Sequence, residues 1–134
     1  ETIEERQSRS LWREIRDCIP FADGGNRPVW RVSLAPMAGH AFVADLRLHA
    51  AVDAFYDWQG GLVWLRIDGA PEAETIRSLV KKHGGGHATL IRAGEDERPA
   101  IPVFEPQPPA LAALSARVKE QFDPNGILNP GRMG

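Results

Sequence analysis

The order of apolar segments between residues 29 and 92 most strongly constrains the fold of this chain. Four short apolar runs predict strands, at residues 29–34, 52–58, 62–67 and 87–92. Helical spacing of apolar side chains predicts two helices between them, at residues 38–49 and 71–83. The resulting β-α-β-β-α-β order predicts an α+β, ferredoxin-like sandwich, in which an antiparallel sheet has its two helices on one face.

Glycines and flanking helices complete the predicted architecture. Gln59-Gly60-Gly61 predicts a hairpin connection, and the three glycines at 84–86 end the second helix. Residues 10–18 predict an extra helix before the sandwich. A last helix follows it, with its apolar stripe at Leu111, Leu114, Val118 and Phe122. The proline-rich, charged residues 93–109 predict a long surface loop, and a C-terminal tail follows the last helix.

Size and charge narrow the possible classes. The 134 residues suit one domain, 1–134. A net charge of -2 without a basic stripe argues against nucleic acid or an anionic membrane surface as the main partner. No apolar run is long enough for a transmembrane segment. The single cysteine, Cys18, excludes an internal disulfide and fits a reducing compartment.

The tail has turn chemistry that a frayed terminus would not need. Residues 123–132 have the sequence D-P-N-G-I-L-N-P-G-R. Pro124 cannot continue a helix, and Asn125-Gly126 supplies a turn. A second break follows at once, at Asn129, Pro130 and Gly131. The spacing predicts a tail with a defined path after the last helix.

This tail resembles the C-terminal signature of FAD-linked oxidases of the vanillyl-alcohol oxidase type. The resemblance implies FAD as cofactor, with Asn129, Pro130 and Gly131 as cofactor-binding residues that dock the tail near the flavin domain. No glycine loop that would cradle the flavin phosphates occurs here. We therefore expect the FAD-binding domain to lie upstream and to be absent from this chain. The chain itself would be a substrate-side cap domain, and we expect it to be inactive alone.

Two further motifs resemble the FAD-binding subunits of bacterial glycolate oxidases. They are D-W-Q-G-G-L-V-W at residues 57–64, with Gln59 inserted before the glycines, and G-G-H-A-T-L-I-R at residues 85–92. That family implies oxidation of glycolate to glyoxylate. It also implies assembly with a second flavin subunit and an iron–sulfur subunit, in the cytoplasm or peripherally at the inner membrane. The purely structural interpretation of Trp58 and Trp64 is a cross-strand aromatic pair that stabilises the hairpin by packing.

Arg31 is the best candidate for substrate contact. It lies within an apolar strand, and its planar fork suits the carboxylate of a small 2-hydroxy acid. The alternative is a solvated arginine paired with Asp45 or Glu105. Arg66 and Arg92 are weaker substrate-binding candidates.

Two histidines bracket the glycine turn at 84–86. His87 is a further substrate-binding candidate, and acid–base chemistry by its imidazole is the other role that it could have, since histidine is the commonest acid–base side chain in enzymes. A metal site is not predicted, since His83 and His87 have no third and fourth ligand at a familiar spacing.

Two other function classes compete with the oxidase. One is a non-catalytic assembly or ligand-sensing module of the same fold, acting through an exposed sheet edge. The other is a nucleic-acid binder that uses an aromatic sheet face, which the near-neutral charge disfavours. A glycine-rich flavin domain upstream would distinguish the oxidase from the module.

Overall fold

The computed structural model describes residues 4–128. It contains four helices and four strands in this order: α1 Glu5–Arg16, β1 Val29–Ser33, α2 Ala38–Leu46, β2 Val52–Asp57, β3 Leu62–Ile67, α3 Ala73–Lys82, β4 His87–Arg92 and α4 Pro109–Phe122. Short 3-10 turns lie at Ile19–Phe21, Trp58–Gly60 and Arg98–Ala100. The strands form one antiparallel sheet in the order β2-β3-β1-β4. The ferredoxin-like prediction is confirmed.

The core lies between one face of the sheet and the two helices, α2 and α3, that pack on it. Alternate residues of each strand point into it, as the two-residue period of a strand requires. The cluster is contributed by β1 (Trp30, Val32), β3 (Val63, Leu65, Ile67), β4 (Ala88, Leu90), α2 (Phe42, Val43, Leu46) and α3 (Ile76, Leu79, Val80). Trp30, although fully buried, has its indole N–H satisfied by the carbonyl of Pro71 at 2.8 Å. Because this core occupies one face of the sheet, the opposite face is available for other contacts.

Close backbone approach explains two glycines. A β-carbon on Gly86 would lie 2.0 Å from the carbonyl oxygen of Ser33, and one on Gly39 would lie 2.3 Å from that of Gly60. Gly86 also has a φ of +149°, which residues with a β-carbon rarely adopt. The glycine run before β4 therefore has a structural purpose, since it lets the chain cross closely over the end of β1.

The extra helices are present at both ends, but neither buries a residue. α1 begins at Glu5, five residues before the predicted start. It ends at Arg16, so Cys18 lies beyond it in a left-handed conformation with a φ of 50°. The apolar stripe of α4 is exposed along its length. The flanking helices thus add little to the core.

The segment between β4 and α4 is a long, mostly exposed loop, as its composition predicts, and part of it also packs along β4. The backbone N–H of Leu90 donates to the carbonyl of Val103 at 2.8 Å. Arg77 of α3 donates to the carbonyls of Pro102 and Phe104. This stretch therefore covers the outer edge of β4, which would otherwise expose unpaired backbone groups.

Candidate functional site

The open face of the sheet places Arg31 at the centre of β1. The register sets it beside Trp64 of β3 and Thr89 of β4. Ser33 lies two residues along on the same face, directly opposite His87. The open face thus has an Arg31 cluster, formed by Arg31, Ser33, His87 and Thr89. It combines a guanidinium, two hydroxyls and an exposed imidazole, a set that can bind a small hydroxylated carboxylate.

Arg31 is half-buried and has no carboxylate partner among residues 4–128. The alternative pairing with Asp45 or Glu105 is wrong. Asp45 accepts hydrogen bonds from Lys82 and His83, and the Lys82 ammonium and the His83 ring hold the pKa of Asp45 below its ordinary value. Glu105 lies 3.6 Å from the Arg77 guanidinium and accepts from the N–H of Ala88. The partners of both acids, Lys82, His83 and Arg77, belong to α3 and its C-terminal end, on the opposite side of the sheet.

Arg31 contacts the indole of Trp58, and its charge also acts on the nearby Cys18 thiol. The guanidinium carbon of Arg31 lies 5.5 Å from the centre of the Trp58 ring, within cation–π range. The predicted pair between Trp58 and Trp64 is wrong. The register places Trp64 opposite Phe55, and these two rings stack at 6.1 Å with an interplanar angle of 14°. Trp58 lies beyond the end of β2, in the turn, so the strand alternation does not govern its side chain.

Arg66 of β3 is engaged by two carboxylates. It lies 2.6 Å from Asp53 and 3.0 Å from Asp23, and it also donates to the carbonyl of Pro20. Its guanidinium lies over the ring of Phe21 at 5.0 Å. These contacts fasten the segment before β1 across one half of the open face.

Arg92 reaches the same carboxylate because β4 is irregular. Val29 pairs with Arg92 while Trp30 pairs with Leu90, so Ile91 is an extra residue in the ladder. The bulge turns Arg92 onto the open face. Its Nη2 lies 3.0 Å from Asp23 Oδ1, close enough for an ion pair although not aligned as a hydrogen bond.

Asp23 is an acidic residue with many contacts that the sequence pattern did not indicate as a candidate. It contacts three guanidiniums, those of Arg27, Arg66 and Arg92. The N–H of Gly25 and the Arg27 guanidinium hold the pKa of Asp23 well below its usual range. Asp53 and Asp68 pair with the same arginines, so three arginines face three aspartates. The charges of this network cancel, which leaves Arg31 as the unneutralised arginine of the open face in the described part.

The two histidines near the glycine turn have different surroundings. His83 lies 2.8 Å from Asp45 and edge-on to Phe42, so it joins α2 to α3. His87 is exposed at the start of β4. Within residues 4–128, no group of three histidine, cysteine or acidic side chains is close enough to hold a metal ion. Nor does any helix in that range have the length and apolar character needed to cross a bilayer.

Asp123 organises the described part of the C-terminal tail. Its buried carboxylate accepts the N–H of Ile127 at 2.9 Å and that of Leu128 at 2.8 Å. Its backbone carbonyl accepts the N–H of Gly126 at 3.1 Å, which closes the turn. The first predicted break is therefore a fixed turn. Asn129, Pro130 and Gly131, predicted to contact the flavin domain, lie outside the described residues.

The same C-terminal region decides the relationship to known proteins. Residues 102–133 match the family model described as FAD linked oxidases, C-terminal domain. The resemblance to the FAD-linked oxidases is confirmed. Among individual proteins, the glycolate oxidase subunit GlcE of Escherichia coli (strain K12) is 30% identical over 133 residues.

That alignment covers 96% of this chain and 32% of the GlcE subunit, so the chain spans about a third of its relative's length. No solved structure gives a significant match. The similarity to GlcE thus extends well beyond the tail motif, through the sheet that contains Arg31.

Proposed function

We propose that this chain is the C-terminal, substrate-side domain of a flavin-dependent 2-hydroxy-acid oxidase subunit that oxidises glycolate to glyoxylate. The observation that most supports the proposal is the alignment with the glycolate oxidase subunit GlcE, which runs through nearly the whole chain. The C-terminal match to the FAD-linked oxidases supports FAD as the cofactor.

The described residues do not offer a site for the flavin phosphates. α2 and α3 follow Met37 and Glu72, and neither helix start has a glycine loop. The three glycines at 84–86 follow the end of α3, where the helix dipole is unfavourable for a phosphate. We therefore propose that FAD is bound mainly by an upstream domain, and that this chain contributes contacts to the substrate.

Within this proposal, Arg31 binds the substrate carboxylate. Its guanidinium has no competing acid in the described part, and a fork of two parallel N–H groups matches a carboxylate. Ser33, Thr89 and His87 lie around it and can hydrogen-bond the 2-hydroxyl group. His87 is also the one of these three side chains whose type most often acts as a general acid or base in enzymes. Arg66 and Arg92 remain weaker candidates, since aspartates already engage both.

The wider assembly follows from the same proposal. We propose a second flavin subunit and an iron–sulfur subunit as partners, and a location in the cytoplasm or peripherally at the inner membrane. The tail at residues 123–132 would dock on the flavin domain. Truncation of the complete protein after Phe122 should therefore loosen flavin retention, and an unchanged flavin content would contradict the docking role.

The decisive experiment is the visible absorbance of the complete polypeptide, co-expressed with its neighbouring subunits, before and after anaerobic glycolate. Flavin peaks that bleach support the oxidase. Flavin that does not bleach retains the family but rejects glycolate as substrate. A colourless preparation favours the non-catalytic module.

Arg31 is then tested by kinetics. Arg31→Met should raise the KM for glycolate by about tenfold or more, because a charge-assisted hydrogen bond is lost. Arg47→Met is the matched control, since Arg47 is exposed and has no ion pair within residues 4–128. Unchanged kinetics in Arg31→Met would retire the carboxylate role.

A further inference from the structure

Trp58 is displayed on the surface at a conformational cost. Its side chain is 59% exposed, although burial of an indole is among the most favourable contributions that a side chain can make. Its φ is 50°, in the left-handed region that residues with a β-carbon adopt only when their surroundings enforce it. Neither feature is explained by packing of the hairpin.

The turn holds Trp58 in this position from both sides. The carboxylate of Asp57 accepts the backbone N–H of Trp58 at 2.7 Å, and the carbonyl of Trp58 accepts the N–H of Gly61 at 3.0 Å. The next residue, Gln59, is also left-handed, with a φ of 56°. The backbone is thus fixed in the conformation that brings the indole to Arg31.

The contact with Trp58 suits an arginine that must remain free to bind an anion. An indole attracts the guanidinium through its ring face and adds no negative charge. Asp57, which precedes Trp58, accepts the backbone N–H of Trp58 and forms no ion pair with Arg31. The contrast with Arg66 is direct, because that guanidinium is held by two carboxylates.

We propose that Trp58 is a positioning residue for Arg31, holding the guanidinium over the open face with its N–H groups free for the substrate carboxylate. The inference rests on the proposed function of Arg31. In this proposal, Trp58 itself does not contact the reacting atoms. Its loss should therefore weaken carboxylate binding and leave the chemical step largely unchanged.

The test uses the complete oxidase with its flavin and compares Trp58→Phe, Trp58→Met and Trp58→Leu. Phe retains an aromatic face, and Met fills volume without one. We expect Met and Leu to raise the KM for glycolate about fivefold with kcat within about twofold, and Phe to stay within about twofold of the wild type. Trp12→Leu is the matched control, because Trp12 is similarly exposed at 60% but lies on α1.

A second readout separates positioning from a general loss of structure. Oxalate, a two-carbon carboxylate without a C–H bond to oxidise, is titrated into each variant by calorimetry. Affinity should fall in Trp58→Met and recover in Trp58→Phe. The double variant Arg31→Met/Trp58→Met should bind no more weakly than Arg31→Met alone, because the indole acts through the guanidinium.

The outcomes distinguish the two proposals. Wild-type KM and oxalate affinity in Trp58→Met and Trp58→Leu, together with a raised KM in Arg31→Met, overturn the role of Trp58 and leave the proposed function intact. Wild-type values in Arg31→Met overturn both. Additive losses in the double variant also overturn the positioning role, since they would mean that Trp58 acts independently of Arg31.

Discussion

The Asp23 carboxylate lies 3.0 Å from the Arg92 guanidinium, joining the segment before β1 to the last strand of the sheet. The same carboxylate contacts Arg27 and Arg66. One acid therefore ties together residues that are far apart in sequence, and it fixes which half of the open face is covered.

Asp23→Asn is expected to lower the stability of the protein, because it removes the charge shared by three guanidiniums. Asp68→Asn is the matched control. Asp68 is more exposed and, within residues 4–128, pairs only with Arg27, so its replacement should have a smaller effect. Urea denaturation of both variants at neutral pH provides the comparison, and equal midpoints would contradict the central role of Asp23.

The contribution of Asp23 should also depend on pH. Its folded-state pKa is depressed, mainly by the N–H of Gly25 and the Arg27 guanidinium. A depressed carboxyl pKa stabilises the fold above the unfolded value of about 3.9, and this stability is lost as pH falls toward the folded pKa. The difference in stability between wild type and Asp23→Asn should therefore be constant from pH 7 to about pH 5 and shrink below about pH 4. A gap that does not shrink at all between about pH 4 and about pH 2 would mean that the effect does not arise from the charge.

Asp123→Ala should release the turn after α4. Each lost hydrogen bond contributes about 1 kcal/mol, so the amides of Ile127 and Leu128 should exchange with solvent about tenfold faster or more. Hydrogen exchange measured by NMR tests this, with the core amide of Leu65 as an internal reference. Asp123→Asn keeps one carbonyl acceptor and should give an intermediate rate. Unaltered exchange in the alanine variant would show that the carboxylate does not hold the tail.

Gly86→Ala should destabilise the fold by about 2–4 kcal/mol, because its β-carbon would collide with the Ser33 carbonyl in an already unfavourable conformation. Gly84→Ala is the control, since a β-carbon there meets nothing within 4 Å and only the φ of +99° is strained. We expect a loss of about 1 kcal/mol for Gly84→Ala. Chemical denaturation separates the two, and equal losses would mean that the close approach to β1 is unimportant.

This chain on its own should bind FAD weakly or not at all, because its described residues provide no cradle for the flavin phosphates. Calorimetric titration of FAD into the isolated chain tests this, with the complete protein as the positive control. Micromolar binding by the isolated chain would contradict the proposed division between an upstream flavin domain and a substrate-side domain in this chain.

The local sequence determined the elements and their order. Trp30 and Val32 lie two residues apart, and Ile76 and Val80 lie four residues apart, so periodicity alone assigned their faces. Pro124 and Asn125-Gly126 likewise predicted the turn after the last helix, because their backbone preferences are local. The motifs at residues 57–64, 85–92 and 123–132 indicated the relationship to FAD-linked oxidases for the same reason, since each is a short contiguous run.

The tertiary structure alone decided which charged residues meet. Nothing local predicts that Asp23 reaches Arg66 and Arg92, since these contacts depend on the sheet order and on the bulge at Ile91. The same holds for Trp58, whose indole lies over Arg31 because a left-handed turn overrides the strand alternation. Periodicity is set by each residue's neighbours in the chain, whereas ion pairing and ring contacts are set by packing between distant segments. That Arg31, alone among the arginines of the open face within residues 4–128, has no carboxylate partner is therefore decided by the fold.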